Sequence, residues 1–365
     1  MKPVSLLIAG AANPHVRNYY SQLMKMPEIE VLGVADTDLD RRLWAREAFR
    51  DYRREVALFE DWHQLLDAFP NAEAVMVGTD NAYHYEVMME VIRRRKHIYS
   101  MKVISMDEAQ AEEVTTECHR QGLVMQVELE LHFAPQYRQM REALRAGKLG
   151  ELVSIYITNV SQCPCPYFPN WCDPFLSYGA RVPLKPGSRL FRGGALTDHP
   201  HPFDLCHWLT GREIVSLQAV SSRNQREWIE VEDHIAIMGE LEGGAKFFIN
   251  PSYSNLEENV PTRRLYWPKS LEVNVKITGT QGYLAADYFD KPVFVVGSNY
   301  VSPNRLIVDG APKVGGAYQG LLYSFINAVR GKGEVETGGK DGLRAIRAMN
   351  AAYEAVASGG KIRLR

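Results

Sequence analysis

Cysteine is scarce in this sequence, with five residues in 365, far from the density of a disulfide-stapled scaffold. A packed core, and not cross-linking, has to hold the fold. An excess of charge of one sign is lacking as well: 42 Lys and Arg stand against 44 Asp and Glu, a net charge of −2. That balance points away from nucleic acid and from anionic lipid as partners. No apolar run approaches the roughly 20 residues of a membrane span. The apolar stretch Val4–Ile8 runs straight into a glycine turn, which reads as a first buried strand and not as a secretion signal. Internal repeats and low-complexity tracts are also missing. These absences leave a soluble, cytoplasmic, two-domain protein as the expectation. What is present supports it, since 45% hydrophobic and 24% charged residues are enough for the cores of two domains.

The first third alternates short apolar runs with amphipathic stretches. Strands are expected at 4–9, 31–36, 74–78, 97–99 and 123–127, and helices at 16–26, 39–48, 83–95 and 106–121. Two-sided apolar strands separated by helices mean right-handed βαβ units and a doubly wound parallel sheet, an α/β domain. After a helical stretch at 135–146 the rhythm changes. Strand-like segments follow at 153–160, 214–221, 234–240, 245–249, 271–278 and 293–296, with helices returning at 318–330 and 343–357. Strands joined mostly to strands predict a largely antiparallel sheet and an α+β second domain. The boundary falls near 124–130. One insertion, 163–191, is rich in proline and aromatic residues, and a loop of that length is more often functional than not.

The turn after the first strand reads Gly10-Ala11-Ala12-Asn13-Pro14-His15. A glycine turn that opens a helix is where a Rossmann fold seats a dinucleotide pyrophosphate on backbone N–H groups. Only the first glycine of G-x-G-x-x-G is kept, and Ala12 still permits close approach of phosphates. Asp36 closes the second strand 26 residues beyond Gly10, near the spacing for ribose recognition. A carboxylate there accepts from the 2′- and 3′-hydroxyls and repels a 2′-phosphate. Thr37 and Asp38 follow, with no adjacent arginine, so NAD is favoured over NADP. Gly10, Ala12, Asn13 and Asp36 are the expected cofactor contacts.

Three further segments stand in register with that turn: Val75–His84, carrying Thr79, Asn81 and His84; the strand 97–100 leading to Lys102; and Arg192–Leu205, carrying Asp198, His199 and His201. Together with Ile277–Gly282 they make the chain resemble the glucose-fructose oxidoreductase / inositol dehydrogenase / MocA (Gfo/Idh/MocA) family of sugar dehydrogenases over nearly its whole length. The resemblance implies an NAD-binding Rossmann domain, 1–126. It is followed by a substrate-binding and oligomerisation domain, 127–365, with a large open sheet and the active site in the cleft between. Lys102 falls on the family's E-K-P lysine, a cofactor contact beside the nicotinamide and the substrate hydroxyl, with Met101 and Val103 in place of the glutamate and proline. Thr79, Asn81 and His84 fall on the loop lining the cofactor. His201 falls on the family histidine, and either Thr197 or Asp198 on its acid. Asp198 is the better choice, because a carboxylate orients an imidazole.

The chemistry that follows is hydride transfer between nicotinamide and a ring carbinol of a sugar or cyclic polyol. Catalysis falls to Lys102, Asp198 and His201, and Asp198 and His201 are also expected to bind the substrate. His201 is the general base, Asp198 holds its tautomer, and Lys102 stabilises alkoxide character on the reacting oxygen. Tyr167, Phe168 and Trp171 in the insertion suit the apolar face of a sugar ring, or an oligomer interface. The His199-Pro200-His201 cluster and Cys163, Cys165 and Cys172 do not make a convincing metal site, and no metal is expected. The expected assembly is a homodimer or homotetramer through the second-domain sheet. Two alternatives stay open: an NAD-assisted glycoside-cleaving or epimerising enzyme without net redox, and a non-catalytic sugar or dinucleotide sensor.

Overall fold

The computed structural model describes residues 2–11, 16–160, 182–221, 224, 230–253, 272–289, 293–296, 304–307 and 314–364. They fall into two compact units. One takes the described residues of Met1–Glu130 with Gly315–Ile346; the other takes those of Leu131–Pro169, Arg181–Val314 and Arg347–Arg365.

The first unit begins with β1 (Val4–Ala9), α1 (Val16–Leu23), β2 (Ile29–Ala35), α2 (Leu39–Ala48), β3 (Ala57–Phe59) and α3 (Trp62–Ala68). It continues with β4 (Ala74–Val77), α4 (His84–Arg93), β5 (His97–Ser100), α5 (Glu108–Arg120) and β6 (Met125–Val127). These strands pair with one another in parallel only, and the sheet order is β3-β2-β1-β4-β5-β6. That is the doubly wound order, with the strand order reversing beside β1 and β4. Every residue of β1 and β4 is buried, as strands covered on both faces require. Capping starts the helices where polar residues follow strand ends. Asp38 accepts from Arg41 N–H at 3.0 Å at the head of α2, and Asp107 from Gln110 N–H at 3.1 Å at the head of α5.

The second unit is built on α6 (Pro135–Arg145), β7 (Leu152–Val160), α7 (Ala195–Asp198), α8 (His201–Thr210), β8 (Ile214–Ser221), β9 (Ile235–Leu241) and β10 (Lys246–Ser252). Then come β11 (Glu272–Gly279), β12 (Gly282–Asp287), β13 (Val293–Val296), β14 (Asn304–Ile307) and β15 (Ile362–Arg363). The sheet runs β14-β13-β12-β11-β7-β10-β9-β8-β15. Its neighbours are antiparallel except for the parallel pair β7–β10. Along β7 and β10 one face is buried, through Ile155, Ile157, Phe247 and Ile249. The other face carries Tyr156 stacked on Phe248 at 4.4 Å, with Met238 and Val220 exposed beside it.

Two C-terminal helices complete the fold, α9 (Val314–Val329) and α10 (Gly339–Ser358). Sequence order assigns both to the second domain, yet α9 belongs to the first unit. Phe325 meets Tyr99 of β5 edge-on at 5.4 Å, and Tyr318 meets Tyr19 of α1 at 5.1 Å. The division between units runs through α10. Its first turn packs closely in the first unit, where a Cβ on Gly342 would stand 2.7 Å from Ile104.

Candidate active site

In the first unit the strand ends of the parallel sheet converge at Gly10, Asp36, Thr79 and Lys102. Gly10 has φ +89°, and a Cβ on it would lie 2.4 Å from the backbone nitrogen of Thr79. Only glycine allows this crossing of the turn over the loop after β4. Asp36 is buried at the end of β2. Its Oδ2 accepts from Ala11 N–H at 2.7 Å and its Oδ1 from Asp38 N–H at 3.0 Å. Burial raises its carboxyl above the ordinary range, against the pull of those two N–H groups and of Arg41. Each carboxylate oxygen keeps a lone pair for a further donor.

NAD fits the Asp36 carboxylate, and the fold adds arginines near it that sequence adjacency does not show. The first turn of α2 brings Arg41 back, with Nη1 3.8 Å from Asp36 Oδ1 and 3.8 Å from Asp80 Oδ2. Arg42 donates from Nη1 to the carbonyls of Asp36, at 2.5 Å, and of Thr37, at 3.0 Å. Two guanidinium groups therefore flank this turn, one of them between the carboxylates of Asp36 and Asp80.

On the loop after β4, Thr79 Oγ1 and both amide atoms of Asn81 are buried without a hydrogen-bond partner. Orphaned buried polar atoms at the C-terminal edge of a parallel sheet are what a ligand site leaves open. With the glycine crossing and the Asp36 carboxylate, these residues fit a dinucleotide. His84, on the same loop, has both ring nitrogens engaged by backbone oxygens. It is fully buried, its Nδ1 2.6 Å from the Val103 oxygen and its Nε2 3.0 Å from the Thr79 oxygen. Both ring nitrogens thus face backbone, tying the loop after β4 to the segment that bears Lys102. Burial pushes the imidazole down to about 4, while the two carbonyls favour the charged ring that could donate to both. Burial wins. Lys102 itself is 3% exposed, and the Lys102–Val103 peptide is cis. Ala12 and Asn13 lie outside the described residues.

In the second unit, α7 and α8 place Thr197, Asp198, His199 and His201 within five residues. Thr197 is fully buried, its Oγ1 sharing a hydrogen bond of 2.8 Å with the Tyr353 hydroxyl. Asp198 keeps more exposure, its Oδ2 3.8 Å from His199 Nε2. His199 and His201 are both buried. One turn beyond His201, Asp204 Oδ2 pairs with His132 Nε2 at 2.7 Å, and His132 stacks on Trp208 at 4.3 Å. Tyr167, Phe168 and Trp171, like Cys163, Cys165 and Cys172, lie outside the described residues.

Sequence reasoning missed Arg41, Glu232, Tyr353 and the pairing of His132 with Asp204. For Arg41 a signal existed, a basic residue in the first turn of a helix that caps itself on Asp38. For Glu232 and Tyr353 there was none, since the partners lie 121 residues apart.

Residues 4–129 match the family model described as an oxidoreductase family with an NAD-binding Rossmann fold, and residues 137–285 match the GFO/IDH/MocA C-terminal domain. The chain belongs to the Gfo/Idh/MocA oxidoreductase family. Among similar members is an inositol 2-dehydrogenase/D-chiro-inositol 3-dehydrogenase of Lactiplantibacillus plantarum. It is 22% identical over 320 residues, 87% of this chain and 81% of its own. A 1,5-anhydro-D-fructose reductase of Ensifer adhaerens is 24% identical over 298 residues, covering 80% and 79%. In fold, the chain is similar to the WlbA dehydrogenase of Bordetella pertussis, whose crystal structure contains NADH and UDP-GlcNAcA. The TM-score is 0.75 at 19% identity, over 100% of this chain and 99% of that one. The protein is thus an NAD-binding oxidoreductase of the Gfo/Idh/MocA family, with an enzyme's architecture in both units.

Proposed function

We propose that the protein moves a hydride between nicotinamide and a ring carbinol of a cyclic polyol or sugar derivative. The observation that carries this reading is Lys102, a cation 3% exposed at the C-terminal edge of the parallel sheet, next to a loop with orphaned polar atoms. The names of the inositol and anhydrofructose relatives supply the substrate class. NAD, when bound, supplies the hydride acceptor or donor. Asp36 binds the adenosine ribose, and Thr79 and Asn81 line the cofactor. His84 holds that loop against the Val103 carbonyl. Lys102 donates a hydrogen bond to the carbinol oxygen and offsets its developing negative charge. A histidine of the 199–201 cluster takes the hydroxyl proton, and Asp198 fixes its ring and stabilises the imidazolium. His201 is the first assignment. The 3.8 Å approach of Asp198 to His199 makes His199 the second. The commitment of the Thr197 hydroxyl to Tyr353 supports Asp198 over Thr197 as the acid.

The test is a titration of cofactor-stripped protein with NADH and NADPH, followed by a screen of cyclic polyols and sugars for NADH formation. Binding with NADH preferred, and net reduction of NAD by a polyol, is the expected result. Binding without net turnover on any of them would count against a simple dehydrogenase. Asp36→Ala should weaken NADH binding by about 10-fold or more, the value of one hydrogen bond to a charged group. It should also narrow the preference over NADPH, because the carboxylate that repels a 2′-phosphate is gone while Arg41 remains, paired with Asp80 alone.

The exposed sheet face carries the proposed assembly, a second copy of this chain docked on it. Tyr156, Met238 and Val220 are 44%, 52% and 68% exposed on neighbouring or near-neighbouring strands, an apolar stripe of the kind that marks association. Light scattering should give a dimer or tetramer for the native chain. A Val220→Glu, Met238→Glu double variant should run as a smaller species; an unchanged mass would remove this face from the interface.

A further inference from the structure

One carboxylate outside the groups assigned above gathers an unusual set of contacts. Glu232, just before β9, is fully buried. Its Oε1 accepts from Leu196 N–H at 3.2 Å and from the Tyr353 hydroxyl at 2.7 Å, and both its oxygens lie 3.1 Å from Gly194 N–H. Tyr353, on α10, accepts from Gly193 N–H at 3.0 Å and meets Thr197 Oγ1. The Arg192 guanidinium lies 5.3 Å over the Tyr353 ring. All these contacts converge on 192–197, the residues immediately before Asp198. The approach is close enough that a Cβ on Gly194 would stand 1.9 Å from the Glu232 backbone oxygen, so residue 194 has to be glycine.

A buried carboxylate is a poor way to stabilise a fold. Removing it from water costs several kcal/mol, and apolar residues of similar volume serve stability as well or better. Burial does push Glu232 up to about 7, opposed by the Tyr353 hydroxyl and the backbone N–H groups. What the carboxylate offers that a leucine cannot is direction: an acceptor that fixes three donors at once.

We propose that Glu232 is a positioning residue, which through Tyr353 and the Gly193–Leu196 amides sets the placement of Asp198 and of the His199 and His201 rings. The proposal rests on the reading of those side chains as the proton-handling group. It assigns Tyr353 to the same unit of action. Glu232 binds the head of α7, Tyr353 binds both Glu232 and Thr197, and loss of either releases the same segment.

Histidine-ring NMR of the full-length protein, with resonances assigned through single His→Asn variants, reads this placement without turnover. Glu232→Gln keeps the shape but turns an NH2 group toward the Gly194 N–H. Tyr353→Phe keeps the ring, removes the shared hydroxyl and changes no charge. In each variant, with circular dichroism and Tm confirming a folded chain, the titration midpoint of His199 or His201 should move by about half a pH unit or more. The exposed His63 on the other unit should not move. Midpoints for both His199 and His201 unchanged in a folded Tyr353→Phe protein would overturn the proposal. Should Glu232→Gln not fold, Tyr353→Phe alone decides. The proton-handling reading fails by a separate result: Asp198→Asn, His199→Ala and His201→Ala all keeping full turnover.

Discussion

Lys102→Met should lower turnover by a factor of ~10²–10³ on any polyol that the native enzyme oxidises, the usual loss when one preorganised donor to a developing oxyanion is removed. Methionine matches the length and apolar character of the lysine stem, so the 3% exposed site stays filled and the fold is kept. NADH binding should survive, because Asp36, Thr79 and Asn81 are untouched. Lys102→Arg should not restore activity. Its planar fork needs more room than a compact ammonium in a buried position. A folded Lys102→Met protein with native turnover would sink the proposed mechanism at its centre.

Removal of the general base is the second large effect. His201→Ala should cost a factor of ~10²–10⁴ in turnover, with a flatter pH–rate profile because the group that titrates is gone. His199→Ala is the control, and the ranking of the two decides the assignment. If His199→Ala is the more damaging, the 3.8 Å approach of Asp198 to His199 marks the working pair, and His201 becomes a helix-start residue. Asp198→Asn should be severe in either case. Thr197→Val should act by another route: it removes a buried hydroxyl from the Tyr353 network and costs roughly 1–3 kcal/mol of stability, with a smaller loss of turnover than Asp198→Asn.

The parts of the fold legible in the sequence were those written locally. β1 and β4 are uninterrupted apolar runs, and the turn at Gly10 and the acid at Asp36 follow them at fixed distances. Hence the doubly wound order and the largely antiparallel second sheet could be read directly. β3 and α3 could not, since a strand of three half-buried residues and a helix of seven show no period to recognise. β14 and β15, of four and two residues, escaped for the same reason. Of the proposed site residues, Lys102 and Asp198 stand in ordered sequence motifs. Arg41 was hidden because a helix turn folds it back on Asp36, which linear adjacency does not register. The contacts of His84 are to backbone oxygens, and no side-chain pattern encodes them. Glu232 and Tyr353 meet only through the tertiary fold.

The membership of α9 in the first unit bears on how the gene can be cut. The face of the parallel sheet at Tyr99 is closed by Phe325, and Glu73 takes Arg330 at 2.7 Å, so residues from beyond position 314 are part of the nucleotide-binding module. A fragment ending at Glu130 exposes that face to water and to aggregation. A self-sufficient cofactor domain has to be stitched from both ends of the chain, the described residues of Met1–Glu130 joined to Gly315–Ile346. During synthesis the same requirement leaves the Tyr99 face of the first module open until α9 has emerged, after the sheet of the second unit has been made.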